Sequence, residues 1–283
     1  MAITAKDVQT LREMTGVGMM DCKKALTEAE GNMDKAVELL REKGLAASQK
    51  KAGRIAAEGM AYAGVIDGVG VVVEVNAETD FVGKNEKFVD FVKGVAATVA
   101  KEAPADLDAL MECKYVGTDL TVTQQQQEMV LVIGENIKVR RFARFAENVS
   151  VPYVHAGGKI GVLVNLESDL PAEKVEEIGK DVAMQIAAAS PLAVSAEGLN
   201  PEVVEHEREV YRQKAREEGK PEQIIEKIAE GAVKKFCKDV CLLDQLYIRD
   251  DKMTISDLIK GAAKTIGEPI TVVRFVRIQL GAE

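Results

Sequence analysis

The feature that most restricts how this chain can fold is one local pattern that occurs twice. Residues 68–81, GVGVVVEVNAETDF, align without a gap with residues 157–170, GGKIGVLVNLESDL. In each copy, apolar residues alternate with other residues, as is typical of a β-strand, and a helical pattern follows the strand. The chain therefore contains two copies of a unit in which a β-hairpin leads into a helix.

In the first copy, the connection between strand and helix carries an aromatic residue beside a carboxylate. Asp80 and Phe81 follow the strand, and three residues then separate them from Asn85, where the apolar pattern of the helix begins. One interpretation is that Asp80 caps the helix and Phe81 fills a core. The other is that the pair forms a functional corner, since loops hold a disproportionate share of binding residues.

The second copy helps to choose between these interpretations. Leu170 replaces the aromatic residue there, and Pro171 follows immediately, a residue that is favoured in the first turn of a helix. Ser168 or Asp169 is therefore expected to cap the second helix directly. Because the first copy has three additional residues before its helix, Asp80 is less needed as a cap. The difference favours a functional corner in the first copy and a structural corner in the second.

Glycine, proline and changes of hydrophobic period divide the chain into segments of different character. The third helix of the first segment is expected to end at Gly44. The predicted fold class is α+β, with an N-terminal three-helix bundle that resembles a ubiquitin-associated domain and two repeated hairpin-plus-helix core subdomains. The predicted boundaries are the helical bundle in 1–45, a linker in 46–57, the first core subdomain in 58–146 and the second in 147–283.

Residues 201–238 are predicted to interrupt the second subdomain as an inserted helical hairpin. Its two charged helices, Pro201–Glu218 and Pro221–Lys238, are joined at Gly219. Either the hairpin projects from the body as an antiparallel coiled coil, or it lies flat on the core. The expected seam contains Val203, Val204, Val210, Tyr211, Ala215, Ile224, Ile225, Ile228, Ala232 and Phe236.

The composition argues against several classes of protein. The formal net charge is −9 and aromatic residues make up 4% of 283 residues, whereas nucleic-acid-binding proteins usually present a basic face and aromatic side chains for stacking. No run approaches the roughly 20 apolar residues that span a bilayer, and the N-terminus lacks the pattern of a signal peptide. We therefore expect a cytoplasmic protein that binds neither nucleic acid nor membrane.

The residues that chemistry or cofactor binding would need do not occur in a suitable order. No stretch has the glycine, lysine and hydroxyl residues of a phosphate-binding loop in the required positions. Glu78 and Asp80 form a carboxylate pair, but the sequence places no nucleophile beside them. Cys237 and Cys241 could supply two metal ligands, although reduced cysteines are the preferred interpretation. The sequence predicts no cofactor, no metal, no nucleotide bound by this chain and no enzymatic activity.

The loop TGVGMM between the first two predicted helices also has two interpretations. Its glycines permit positive φ angles. Met19 and Met20 at its end either fill a small core or present a soft apolar surface to a partner helix. The residues alone leave both interpretations open.

Three motifs in this chain resemble signatures of the bacterial-type elongation factor Ts family, and they occur in the family's order. The first is LREMTGVGMMDCKKAL at 11–26, and the second is EVNAETDFV at 74–82. The third is GENI at 134–137, followed by Arg140 and Arg141. Three such motifs in a fixed order form a specific signal.

The resemblance implies a guanine-nucleotide exchange factor. Such a protein binds elongation factor Tu with GDP, promotes GDP release and so returns elongation factor Tu to GTP during translation elongation. The family's pattern implies that four residues disturb the Mg²⁺ and phosphate site of the partner, namely Thr79, Asp80, Phe81 and Val82. It implies further partner contacts by Arg12, Met19, Met20 and His155. The resemblance also favours the projecting helical hairpin and is compatible with a homodimer or a two-plus-two complex with the partner.

Two rival functions remain open. The N-terminal bundle could belong to a scaffold that binds ubiquitin-like or other helices, for which the corner at Asp80 and Phe81 would be dispensable. Alternatively, Glu78 and Asp80 could serve acid–base hydrolysis, which would require turnover without a partner. Some family members have a helical segment after the last strand. This sequence ends at Glu283, so we expect the contacts of that segment to be missing.

Overall fold

The computed structural model describes residues 3–282, so the outermost residues of the predicted segments 1–45 and 147–283 lie outside the description. The protein has an α+β fold with two compact units. The first unit contains the chain through Arg144, Val154–Gly161 and the residues from Ile278 onward. The second contains Phe145–Tyr153 and Val162–Arg277. Among the described residues, no helix combines the length and apolar character that crossing a bilayer requires.

Three helices form the N-terminal part of the first unit, namely α1 (Ala5–Thr15), α2 (Met19–Glu28) and α3 (Met33–Lys51). Thr4 begins α1 with a capping box: its hydroxyl accepts from the Asp7 amide at 3.2 Å, and the Asp7 carboxylate accepts from the Thr4 amide at 2.9 Å. Gly16 ends α1 in the left-handed conformation. The apolar faces of the helices meet in a small core of Val8, Leu11, Val17, Cys22, Ala25, Leu26, Ala29, Ala36 and Leu40.

The predicted end of the third helix at Gly44 is wrong. α3 continues through Gly44 to Lys51, into the segment that the sequence suggests is a linker. Gly44 is instead a point of close approach, because a Cβ there would lie 3.1 Å from the carbonyl oxygen of Gln127. The glycine therefore allows α3 to pack closely against a second helix rather than ending the first.

The strands of the first sheet are, in spatial order, β1 (Glu58–Ile66), β2 (Val69–Ala77) and β3 (Lys138–Phe145). The predicted hairpin of the first copy is confirmed: Asp67 and Gly68, which form its turn, have positive φ angles of 50° and 80°, as a two-residue turn between antiparallel strands requires. Between β2 and β3 lie α4 (Glu86–Glu102), α5 (Leu107–Glu112) and α6 (Val122–Ile133). The sheet and α4 share a core that includes Val71, Val73, Val75, Phe88, Phe91, Val92, Val95 and Val99.

The remaining elements are, in chain order, β4 (Val149–His155), β5 (Ile160–Glu167), α7 (Ala172–Ala189), α8 (Pro201–Glu217), α9 (Glu222–Val240), β6 (Leu246–Tyr247), β7 (Asp250–Thr254), α10 (Ile255–Ile266) and β8 (Thr271–Gln279). The second sheet has the order β4, β5, β8, while β6 and β7 form a separate antiparallel pair.

The structure confirms the internal repeat and extends it. The strands β1, β2 and β3 correspond to β4, β5 and β8, and the helices α4 and α6 correspond to α7 and α10. Near the end of α4, the Ala100 carbonyl oxygen accepts from Arg144 Nε at 3.2 Å; near the end of α7, the Ala187 carbonyl oxygen accepts from Arg277 Nε at 3.3 Å. An equivalent arginine therefore satisfies an equivalent helix end in both copies.

The third strands reveal a sequence match that the hairpins alone do not show. Residues 134–142, GENIKVRRF, align with residues 267–275, GEPITVVRF. The first residue of each segment is a glycine with positive φ that ends a helix, α6 or α10. Each copy of the repeat therefore runs from its hairpin through two corresponding helices to the third strand of its sheet.

The expected cap of α7 by Ser168 or Asp169 is wrong. Pro171 occupies the N-cap position, and no side chain caps this helix. The Ser168 hydroxyl instead donates to the carbonyl oxygen of Pro269 at 3.0 Å. In the first copy, the Asn85 side chain caps α4, so Asp80 is not the cap.

The helices α8 and α9 pack on each other as a hairpin, but the seam differs from the predicted one. Ala215, Ala229 and Val233 are buried together with Ile225, whereas four predicted seam residues are exposed: Val203, Val210, Ile224 and Ile228. The buried part of the seam is therefore Ala215, Ile225, Ala229 and Val233 rather than the full predicted set.

Candidate functional site

Residues 78–82, which we call the first corner, begin where β2 ends and lead into a single 3₁₀ turn, Val82–Lys84. Phe81 is 81% exposed, although its neighbour Val82 is only 5% exposed and packs in the core beneath α4. Asp80 is exposed as well. The interpretation in which Asp80 caps the helix and Phe81 fills a core is therefore wrong.

The carboxylate of Glu135, in the segment before β3, holds the backbone of the first corner. Its Oε2 accepts from the amides of Glu78 at 3.1 Å and Thr79 at 3.0 Å. Its Oε1 accepts from the Thr79 hydroxyl at 2.7 Å. Hydrogen bonds to an ionised acceptor are stronger than those between neutral groups, so three of them on one half-buried carboxylate fix the chain just before Asp80.

The Glu78 carboxylate ties the first corner to two further segments. It accepts from the Asn136 amide at 2.7 Å and from Arg54 Nη1 at 3.3 Å. The Asn136 side-chain amide donates in turn to the carbonyl oxygen of Arg54 at 2.9 Å. These contacts occupy Glu78 as a structural acceptor, which weakens the hydrolase alternative, because that alternative needs Glu78 available beside Asp80. We call Arg54, Glu78, Thr79, Glu135 and Asn136 the corner frame.

The turn after Phe81 packs against β1 without room for a side chain. A Cβ on Gly83 would lie 2.6 Å from the carbonyl oxygen of Gly59, closer than non-bonded atoms allow. The corner frame before Phe81 and this close approach after it therefore fix the backbone on both sides of the exposed ring.

The loop between α1 and α2 lies beside the first corner. Lys87, in the first turn of α4, donates from Nζ to the Gly16 carbonyl oxygen at 3.1 Å. A cleft of about 300 Å³ is lined by residues of both regions, among them Gly16, Phe81, Val82, Asn85, Lys87 and Val132. The structure thus brings Phe81 next to the loop that leads to the two methionines.

The methionines at the start of α2 face outward. Met19 is 45% exposed and Met20 is 64% exposed, so the interpretation in which they fill the core of the bundle is wrong. Val17 and Cys22 lie in that core instead, and burial raises the pKa of the Cys22 thiol. Arg12 is exposed on α1. This arrangement leaves an apolar surface at the end of the loop.

The structure does not bring all the predicted contact residues into the cleft. His155 lies exposed at the end of β4, where its carbonyl oxygen accepts from the amides of Gly158 and Lys159 at 3.2 and 3.1 Å and so closes the hairpin turn. Neither His155 nor Arg12 belongs to the lining of the cleft.

The cysteines in the structure are free thiols. Burial raises the pKa of Cys241 to about 11, which keeps the thiol protonated at neutral pH. Across residues 3–282, no group of three or more His, Cys, Asp and Glu side chains is arranged to hold a metal ion.

The corner frame is the part of the site that the sequence does not reveal. Glu135 and Asn136 are visible there only as part of the GENI motif, and Arg54 lies in the segment predicted to be a linker. A signal existed in the match between residues 134–142 and 267–275. It shows that a glutamate stands at this place in both copies, as Glu135 and Glu268, whereas Asn136 is replaced by Pro269.

Known proteins resemble this chain over nearly its whole length. The family profile described as "Elongation factor TS" matches residues 78–282. Elongation factor Ts of Syntrophotalea carbinolica is 50% identical, and the match covers 99% of this chain and 94% of that protein. Elongation factor Ts of Clostridium perfringens strain SM101 is 49% identical, with coverage of 99% and 93%. Elongation factor Ts of Lawsonia intracellularis is also 49% identical, and the match covers 100% of both chains.

Proposed function

The chain belongs to the elongation factor Ts family, a family of translation elongation factors, and on that premise we propose that it acts as the guanine-nucleotide exchange factor of elongation factor Tu. It binds elongation factor Tu with GDP and promotes release of the GDP. Elongation factor Tu is thereby returned to the GTP-bound form that translation elongation uses. The role is one of binding, since exchange factors catalyse no chemical reaction of their own.

The observation that carries this proposal is the exposure of Phe81. Large aromatic side chains are usually buried, and a ring that is 81% exposed on a fixed backbone leaves apolar surface in water that contact with a partner would remove. The ring follows the exposed Asp80 in the chain, and it lines a cleft together with Gly16 of the loop in the N-terminal bundle. This combination suits insertion into a partner protein.

The mechanism follows from thermodynamic linkage. A G protein holds GDP largely through its phosphates and a Mg²⁺ ion in strict octahedral coordination. A protein that binds the form with a displaced Mg²⁺ and phosphate loop more tightly than the GDP form weakens GDP binding by the same factor. The exchange factor therefore need not touch the nucleotide.

We assign the disturbance of the Mg²⁺ and phosphate site to the residues Thr79 to Val82. Phe81 wedges between helices of the nucleotide-binding domain of the partner. Asp80 accepts hydrogen bonds and redirects charged groups near the ion. Thr79 and Val82 act through the backbone, since the first is held by Glu135 and the second is anchored in the core.

The remaining contacts position the first corner on the partner. Met19 and Met20 offer flexible apolar side chains to a partner helix, and Arg12 adds a charge on the same bundle. His155 supplies a contact from the hairpin of the second sheet. The assembly that we propose is either a homodimer of this chain or a two-plus-two complex with the partner.

Stopped-flow release of fluorescent GDP from purified elongation factor Tu tests the function and the site together. The wild-type chain is expected to accelerate release strongly. Burying a Phe side chain is worth about 1.5–3 kcal/mol, so Phe81→Ala is expected to reduce the acceleration roughly 10- to 100-fold. Leu170→Ala at the equivalent position of the second copy is the matched control and should stay within about twofold of the wild type.

Each outcome has a distinct meaning. No acceleration by the wild type would overturn the exchange function and favour the scaffold alternative. Equal acceleration by the wild type and by Phe81→Ala would support the exchange function but not the role of Phe81. The contact that drives exchange would then be assigned to the exposed residues of the bundle or to His155.

A further inference from the structure

We infer that Glu135 is a positioning residue for exchange, which holds the first corner in the shape in which Asp80 and Phe81 reach the partner. The inference rests on the proposed exchange function and assigns Glu135 no contact with the partner itself. Glu135 orders the first corner before the partner binds.

The geometry shows why the first corner needs such a group. The pairing of β1 with β2 ends at Glu58 and Ala77, so the next amides, those of Glu78 and Thr79, have no partner in the strand ladder. Both donate to Glu135 Oε2 instead, at 3.1 and 3.0 Å. A buried or half-buried amide beyond the end of a strand pairing needs another hydrogen-bond acceptor. Here the Glu135 carboxylate is that acceptor for two successive residues.

The second copy shows that the fold does not depend on this arrangement. Glu268 corresponds to Glu135, but it is exposed, and its carboxylate makes no hydrogen bond within the described residues. Pro269 corresponds to Asn136 and has no amide hydrogen to donate, so the contact between Asn136 and Glu78 has no counterpart there. Glu167, the counterpart of Glu78, is exposed as well.

The equivalent unit therefore forms its hairpin, its helices and its third strand without a corner frame. What the frame adds in the first copy is a fixed path for the backbone before Phe81. A contact segment that is already ordered loses less conformational entropy when it binds. Loss of the corner frame is therefore expected to weaken the contact that Phe81 makes with the partner.

The test is the GDP-release assay with the full chain and four variants, namely Glu135→Ala, Glu268→Ala, Phe81→Ala and the double variant Glu135→Ala/Phe81→Ala. Glu135→Ala is expected to reduce the acceleration about tenfold, and Glu268→Ala to change it less than about twofold. In the Phe81→Ala background, Glu135→Ala is expected to have a clearly smaller effect than in the wild type, because the part of its effect that acts through Phe81 is already lost.

One further readout and one further variant separate a positioning role from a loss of folding. Hydrogen exchange at the amides of Glu78 and Thr79 should become faster in Glu135→Ala, while the amides in the middle of β2 keep their protection. If Glu135→Ala does not fold, Glu135→Gln takes its place. Glutamine keeps the shape of the glutamate side chain and one acceptor oxygen. The acceleration of GDP release by Glu135→Gln is expected to be about threefold smaller than that by the wild type.

Failure of the wild type to accelerate GDP release would overturn the proposed function and this inference with it. An active wild type matched by Glu135→Ala, or by Glu135→Gln where that variant is used, would overturn the inference alone. Independent effects of Glu135→Ala and Phe81→Ala that multiply in the double variant would also overturn it, because Glu135 would then act elsewhere in the protein.

Discussion

The first corner and its counterpart in the second copy, residues 167–171, follow equivalent strands and precede equivalent helices. The first is tied by the Glu135 carboxylate to the segment before β3. In the second, the Ser168 hydroxyl donates to the carbonyl oxygen of Pro269 at 3.0 Å and accepts from the Leu170 amide at 3.4 Å. The first presents an exposed aromatic ring, and the second has the half-buried Leu170 in its place. The first is therefore more strongly held and also presents the larger apolar side chain.

An asparagine that both copies share has an equivalent place in each hairpin. The buried Asn76 side chain donates to the carbonyl oxygen of Glu58 at 3.3 Å, and the buried Asn165 side chain donates to that of Glu147 at 2.8 Å. The first amide joins β2 to β1, and the second joins β5 to the segment just before β4. The shared asparagines therefore have a structural role in both copies.

The largest difference within the paired strands is a buried charge. Glu74 and its counterpart Leu163 are both fully buried, but Glu74 accepts from Arg141 Nε at 2.6 Å, Arg140 Nη1 at 3.3 Å and the Gly281 amide at 2.8 Å. Removing one member of a buried, hydrogen-bonded ion pair is strongly destabilising. We expect Glu74→Ala to lower the free energy of unfolding of the first unit by about 3 kcal/mol.

Leu163→Ala is the matched control, with a cavity cost of about 3 kcal/mol in the second unit. Urea unfolding combined with hydrogen exchange in β2 and β5 would follow the two units separately, since they need not unfold together. A loss below about 1 kcal/mol for Glu74→Ala would show that Arg140 and Arg141 regain their hydration easily. The buried ion pair would then contribute little to the stability of the first unit.

A smaller difference concerns the helix that follows each corner. The Asn85 side chain accepts from the amides of Lys87 at 3.0 Å and Phe88 at 3.4 Å, whereas no side chain caps α7. We expect Asn85→Ala to cost about 1 kcal/mol, measured as faster hydrogen exchange in the first turn of α4. Ser168→Ala should leave the first turn of α7 unchanged to within about 0.5 kcal/mol. Equal effects of the two substitutions would mean that Ser168 acts as a cap after all.

The elements of the fold could be predicted from the sequence wherever one local rule dominates. The turn at Asp67 and Gly68, the cap at Asn85 and the start of α6 at Thr121 each follow from the chemistry of adjacent residues. The family could be recognised from three motifs, and the profile match and the relatives confirm it.

The errors occur where a distant residue decides the outcome. Gly44 looks like a helix end until Gln127 is known to lie against it. Ser168 looks like a cap until Pro269 is seen to accept from it. The role of Glu135 depends on residues more than fifty positions earlier in the chain. Local propensity carries no information on contacts of this kind.

The smallest expected difference lies at the start of the second helix of each copy, where both have a capping box. At α6 the Gln124 side chain accepts from the Thr121 amide at 2.9 Å, and at α10 the Asp257 carboxylate accepts from the Thr254 amide at 3.2 Å. Hydrogen bonds from the Thr254 hydroxyl and amide hold the pKa of Asp257 below its ordinary value of 3.8. The amide cap of α6 has no titrating group.

A carboxyl group whose pKa is lowered in the folded state stabilises that state above its unfolded pKa, and this stabilisation is lost as the pH falls through the folded value. Below about pH 3.8, amide protection in the first turn of α10 should therefore fall before that of α6 in the same sample. Carboxyl carbon chemical shifts would give the titration of Asp257 directly. Asp257→Gln, which introduces the residue of the first copy, should make the two caps respond alike. If α6 and α10 already lose protection together in the wild type, the capping carboxylate does not distinguish the two copies, and global acid unfolding governs both helices.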